Sequence, residues 1–231
     1  MTTTAPPALP GVDRVLTRMR ALAEALPAGD GVAVFNGVYL SVTEELRGRV
    51  SAGGFGTSGH AATLAVLFAD RYLTAVADDA EDTAGRETPA CWRPLLRMRQ
   101  HGGIRPLQFV MAGINAHVGH DLALSVVDAC RSLGLEPPAL KRDFDRVGEL
   151  LTSVEERIRE ELMPGPDLLD MADPLTHLAG SWSLERARDA AWATSRVLWS
   201  LRNLTEVYEE CAEQLDAGVG LVGRFLLTPL N

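Results

Sequence analysis

Apolar residues recur every three to four positions along most of this chain, and they seldom alternate singly. That period is helical, and the near absence of strand-like alternation leaves no βαβ repeat to build a sheet. Val12, Val15, Met19, Leu22 and Leu26 form the first stripe, which Pro27 closes. In VAVFNGVYLSVTEELRGRV, Val38, Val42 and Leu46 form a second stripe flanked by Phe35 and Tyr39. Asn36, Tyr39, Leu40 and Thr43 follow a neighbouring stripe at three- and four-residue steps, and polar groups so placed on an apolar helix either wall a pocket or, as the commoner case, cap and hydrogen-bond locally. A third helix is predicted from about Gly59 to Val76 on Leu64, Leu67, Phe68 and Leu73, with Thr57 or Ser58 as its cap.

The longest signal runs from Arg105 to Gly134. Pro106 suits a first helical turn, and Gly134 with Pro137 and Pro138 suits a stop. Phe109, Val110, Met111, Ile114, Val118, Leu122, Leu124, Val126 and Val127 point in every direction, so this helix belongs inside the protein. Asn115, His117, His120 and Asp121 interrupt it at its centre, which makes it too polar to span a bilayer. Beyond it, KRDFDRVGELLTSVEERIREEL is a charged amphipathic helix with Phe144, Val147, Leu150, Leu151, Val154 and Ile158 inward. MPGPDLLDMADPLTHLAG is a broken, proline-rich connection. Ser183 caps a last long helix that is expected to end before Gly218, with VGLVGRFLLTPLN packing back as a tail. The expected architecture is an all-α, single-domain bundle (residues 10–231) around a buried central helix at about 106–132, preceded by a flexible tail at 1–9.

Composition narrows the function classes. A net charge of −9 argues against a nucleic-acid surface. Three cysteines, Cys91, Cys130 and Cys211, show no CxxC spacing and suit a reducing cytoplasm. The start, MTTTAPPALPG, lacks the pattern of a signal peptide. The glycine-rich SAGGFGTSGH lacks a phosphate-loop arrangement, and the acidic DDAEDTAGRETP reads as a solvated loop.

The chemistry candidates sit on the central helix. His117 and Asp121 are four residues apart, so a carboxylate can fix the imidazole as a general acid or base. The same pair can supply metal ligands, with His120 and Asp70 as further candidates; no HExxH or ExxH pair is present. Tyr39, Asn36, Arg71, Gln108, Asn115 and Trp92 are the candidates to position a substrate.

FNGVYLSVTEEL, DRYL, CWRPLL, the run from Pro106 to Leu122 with its PxQFxxAGxNAHxxxDL core, and WSLERARDAAW together resemble an actinobacterial family of unknown function. That resemblance implies a cytoplasmic helical protein and carries no settled activity. A fainter similarity is to the zinc phospholipase C and P1 nuclease class, whose HxxxD pair His117 and Asp121 match. Where that class continues with Pro-x-His, this chain has Ala123, Leu124 and Ser125. The expected function is a small-molecule enzyme of specialised metabolism, a cyclase or isomerase working by acid/base chemistry in an interior pocket. No cofactor is favoured, and a divalent metal stays open. The alternatives are a metal-dependent hydrolase with a reduced site and a non-catalytic ligand-binding protein. The expected partner is a small molecule rather than nucleic acid or a membrane, with a homodimer as the assembly to test.

Overall fold

The computed structural model describes residues 9–52, 59–80, 88–148 and 183–230, and among these the regular secondary structure is helical, with no strand. In chain order the helices are α1 (Pro10–Ala25), α2 (Gly31–Ser51), α3 (His60–Ala80), α4 (Arg93–Met98), α5 (Pro106–Ala116) and α6 (Leu122–Leu133). They are followed by α7, helical over 137–148, then α8 (Leu184–Leu201) and α9 (Thr205–Leu226). The all-α bundle expected from the periodicity is the observed fold.

The central rod consists of α5 and α6, joined by one turn of π-helix at His117–Asp121. Pro106 sits in the first turn of α5. Gly134 closes α6 in the left-handed conformation at φ 64°, where Leu135 N–H reaches Cys130 O at 2.9 Å. This is the cap glycine provides at least cost. Helix α5 packs on α2 and α9, α6 packs on α3 and α8, and the π turn touches α3, α8 and α9. A rod apolar on all sides is thereby covered on all sides, which is what its composition required. One continuous hydrophobic cluster runs from Val15 on α1 to Leu227 after α9.

Glycine sets the closest approaches. A Cβ on Gly113 would stand 2.2 Å from the Phe35 ring, so only glycine lets α2 lie against α5 there. A Cβ on Gly220 would stand 2.4 Å from Ala90 O, so glycine lets α9 lie against the 88–92 turn. Helix α9 continues through Gly218, Gly220 and Gly223, where the sequence pattern suggested an end before Gly218, and Gly220 and Gly223 turn their bare backbone to Ala90 and Pro94.

The expected single long helix from Ser183 is two. The chain leaves α8 at Arg202 and enters α9 after Leu204. The freed carbonyls are satisfied locally: Leu204 N–H donates to Leu201 O at 2.8 Å, and Arg202 Nη1 donates to Trp199 O at 2.8 Å. The start of that helix is as expected, with Ser183 Oγ accepting from Arg186 N–H. The acidic stretch DDAEDTAGRETP, read as a loop from Asp78, begins inside α3, whose helical hydrogen bonding runs on to Ala80; its residues 81–87, the expected caps Thr57 and Ser58, the broken 163–180 connection and the inward residues Leu150, Leu151, Val154 and Ile158 lie outside the described residues. No described helix is long and apolar enough to cross a membrane.

Candidate functional site

The π turn gathers the polar groups of the rod at one carboxylate. Adding one residue to a helical turn shifts its neighbours' directions, and such bulges recur at functional positions. Asp121 Oδ2 lies 3.0 Å from His117 Nδ1 and accepts from Trp92 Nε1 at 3.0 Å. Asp121 Oδ1 lies 2.8 Å from His120 Nδ1. All four side chains are buried: Asp121 is 2% exposed, His117 3%, His120 6% and Trp92 fully buried.

Protonation follows from this geometry. Burial pushes the Asp121 carboxyl up, but the hydrogen bonds from His117 and His120 and their charge outweigh it, and the net direction is down. An ionised Asp121 can only accept, so both imidazoles present Nδ1–H to it. Burial lowers the His117 pKa against the opposing pull of Asp121, which keeps the ring neutral. Rings of Phe35, Tyr39, Phe68, Tyr72 and Trp92 surround it. Phe68 stacks on it at a centroid distance of 3.5 Å and 5° between planes, and Tyr39 meets it edge-on at 4.5 Å.

The His117 Nε2 atom has no hydrogen-bond partner. Among the described residues Ser51 Oγ and Ser125 Oγ share that condition. Only the imidazole among these three is a base near neutral pH. Tyr39 remains a neutral phenol, raised well above its ordinary range by burial and by Asp121.

On the other side of the carboxylate the network continues to α9. His120 Nε2 lies 3.8 Å from Asp216 Oδ1. Asp216 in turn accepts from Ala90 N–H at 2.7 Å and Cys91 N–H at 2.8 Å, pinning the 88–92 turn to α9. Burial pushes the Cys91 thiol up, and Asp121 and Asp216 push it further. Sequence reasoning passed over Cys91 and Asp216. Neither stands in a diagnostic spacing with His120, and only the packing of α9 across the turn brings them together.

The other candidates are placed as follows. Asn36 donates to Met19 O at 2.9 Å and accepts from the Tyr72 hydroxyl at 3.2 Å, tying α1, α2 and α3. Gln108 donates to Leu226 O at 2.9 Å and Thr228 O at 2.8 Å, and accepts from Arg105 N–H at 3.1 Å, so it holds the C-terminal tail. Asn115 donates to Val219 O at 2.9 Å. Arg71 pairs with Asp128 on α6. Asp70 pairs with Arg14 and Arg18 at the surface, away from the histidines it was expected to join as a ligand. Tyr39 and Trp92 do stand beside His117.

Two hollows flank this network. Tyr39, Thr43, Phe68 and Leu122 help line an apolar one, but it offers a water-sized molecule only about 30 Å³. A water needs roughly 10–15 Å³ of such space, so the hollow takes one or two waters and no substrate in this conformation. The second is a cleft of about 570 Å³ between the 90–98 segment and the end of α9. Arg93, Arg97 and Arg224 line it, together with Ala90, Pro94, Met98, Ala217, Leu227, Thr228 and Pro229. Its size falls in the range of small-molecule sites, roughly 300–1,000 Å³. Among its described lining residues none is a carboxylate, although the chain carries net −9. Asp216, next in sequence to the lining residue Ala217, is turned to the amides of Ala90 and Cys91.

These features define a class: a helical bundle whose buried rod carries one carboxylate shared by two imidazoles, with an arginine-lined cleft beside it. The chain belongs to the family of unknown function DUF5995, whose profile matches residues 12–229. Comparison with curated proteins and with solved structures finds no match.

Proposed function

We propose that this protein handles a small anionic molecule in the cleft formed by the 90–98 segment and the C-terminal end of α9. The observation that carries the reading is the convergence of Arg93, Arg97 and Arg224 on one cleft of about 570 Å³. Guanidinium groups recognise phosphate and carboxylate through paired, charge-assisted hydrogen bonds. Pro94, Met98, Leu227 and Pro229 give the ligand's carbon skeleton an apolar surface. Arg93 is oriented for this by its own bond from Nε to Thr88 O at 2.7 Å.

The test uses calorimetry of the purified chain with inorganic phosphate, pyrophosphate, a four-carbon dicarboxylate and an aryl carboxylate. The reading expects saturable binding of at least one, weakened by added salt and lost at least tenfold in the double variant R97A/R224A. Absence of binding across the panel, or unchanged affinity in the double variant, removes it.

A second reading keeps catalysis at the rod. The unpaired Nε2 of His117 favours it, because a buried lone pair without a partner is costly unless it has a use. His117 would then act as the base, oriented by Asp121, in an isomerase or cyclase reaction that begins with proton removal next to a carbonyl. Substrate entry would require Phe68 and Tyr39 to swing from the ring. Deuterium wash-in to a panel of enolisable ketones in D2O, present in the wild type and absent in H117A, is the expected result. Equal exchange in both ends this reading.

A further inference from the structure

Beside Asp121, on the side away from His117, three potential ligand atoms from different parts of the chain converge. They are Cys91 Sγ, a ring nitrogen of His120 and a carboxylate oxygen of Asp216, all within 4.8 Å of one another. Cys91 and His120 are buried and Asp216 is partly so. We propose that Cys91, His120 and Asp216 bind a transition-metal ion of zinc's type, with Asp121 as the positioning residue behind His120. This inference is independent of the anion cleft and of any role for His117.

Three observations carry it. The first is spacing: His120 Nε2 and Asp216 Oδ1 are 3.8 Å apart. Two ligands on a tetrahedral zinc, each at about 2.0–2.1 Å, stand roughly 3.3 Å apart, so a small inward movement of one side chain closes the site. The second is the orientation of His120. Its Nδ1 is held at 2.8 Å by Asp121 Oδ1, which turns Nε2 toward Asp216 Oδ1, 3.8 Å away. A carboxylate on the far nitrogen is the usual support of a metal-bound histidine, fixing both tautomer and ring orientation. The third is the rigidity of the carboxylate. Asp216 is held by the Ala90 and Cys91 amides, so two of the three ligands are already locked to each other.

The donor set selects the ion. Thiolate with imidazole and one carboxylate suits zinc and its borderline neighbours. It does not suit magnesium or calcium, which take oxygen ligands. Binding replaces the thiol proton of Cys91, which leaves to solvent, and the ion takes water or a ligand group as its fourth partner. Ala90 and Ala217, the chain neighbours of two of the ligands, line the arginine cleft, so the ion stands behind that edge of it.

Cobalt(II) is the probe, because its thiolate complexes absorb in the near ultraviolet and its tetrahedral complexes absorb strongly in the visible. The full chain, stripped with chelator and titrated with cobalt(II), is expected to take up one equivalent with both signatures, and zinc is expected to displace it. C91S should lose the sulfur band, and H120N and D216N should each lose at least tenfold in affinity. D121N should lose roughly 10–100-fold while keeping the sulfur band, as a support behind the ligand requires. X-ray absorption of the zinc-loaded wild type, which needs no variant to fold, should show one sulfur among nitrogen and oxygen neighbours. No stoichiometric uptake, a zinc shell without sulfur, or a sulfur band that survives C91S overturns the proposal.

Discussion

His117 Nδ1 and Asp121 Oδ2 lie 3.0 Å apart across a single π turn, on a rod buried from solvent on every side. The bond is one of three that end on the same carboxylate, the others coming from Trp92 and His120. This makes Asp121 the polar centre of the core.

D121N is therefore expected to destabilise more than any change at a single one of its donors. An asparagine keeps the shape but offers only one acceptor oxygen to three N–H groups and sets its own amide against at least one of them. Removing one member of a buried charged network costs about 3–5 kcal/mol. H117F, which keeps a ring for Phe68 to stack on and removes one donor, is expected to cost only about 1–3 kcal/mol. Denaturant unfolding of the two variants checks the order; a D121N cost at or below that of H117F contradicts it.

Stability should fall on acidification in two steps. The folded state holds His117 below its ordinary value of 6.5, chiefly through burial, with Asp121 opposing. Tyr39 and Tyr72 face the ring and stay uncharged there. In the unfolded chain the ring protonates near 6.5. The unfolded state thus binds the extra proton first, and stability drops as pH falls below about 6.5, by up to about 1.4 kcal/mol per pH unit. Asp121 is lowered from 3.8, so its contribution is complete above that value and is lost as pH falls further, through the folded pKa. Unfolding free energies measured with chelator present at pH 7.5, 6 and 5 should decrease in that order, and H117F should flatten the upper part of the curve.

Gln108 is expected to matter for the end of the chain rather than for a ligand. Its amide holds Leu226 O and Thr228 O. Q108A leaves those carbonyls and the Arg105 amide without the partner, at about 1–3 kcal/mol. Hydrogen exchange should speed up at residues 226–230 and leave α3 unchanged.

The helical period made the rod, its proline start and its glycine stop legible, because an all-apolar surface and a left-handed cap have local signatures. The four-residue spacing likewise put His117 within reach of Asp121. The π turn had no such signature, since HVGHD continues a good helical pattern. Gly218 read as a stop, yet α9 runs through it, and Gly220 just beyond packs closely against Ala90. Cys91 and Asp216 were invisible because their meeting with His120 depends on that packing. Asn36, Gln108 and Asn115 read as ligand-orienting groups, yet each bonds a backbone carbonyl of another segment. A sequence shows that a buried amide needs partners and does not show whether they are backbone or ligand.

Both readings that use an imidazole, at His117 and at His120, require the same arrangement of protons around Asp121. Long-range 1H–15N spectra of the histidine rings in the metal-free chain at pH 7 test it most directly. His117 is expected to be neutral with the proton on Nδ1 and an unprotonated Nε2, and His120 to carry a proton on Nδ1. A His117 imidazolium, a proton on Nε2 of His117, or a His120 ring without its Nδ1 proton would contradict this.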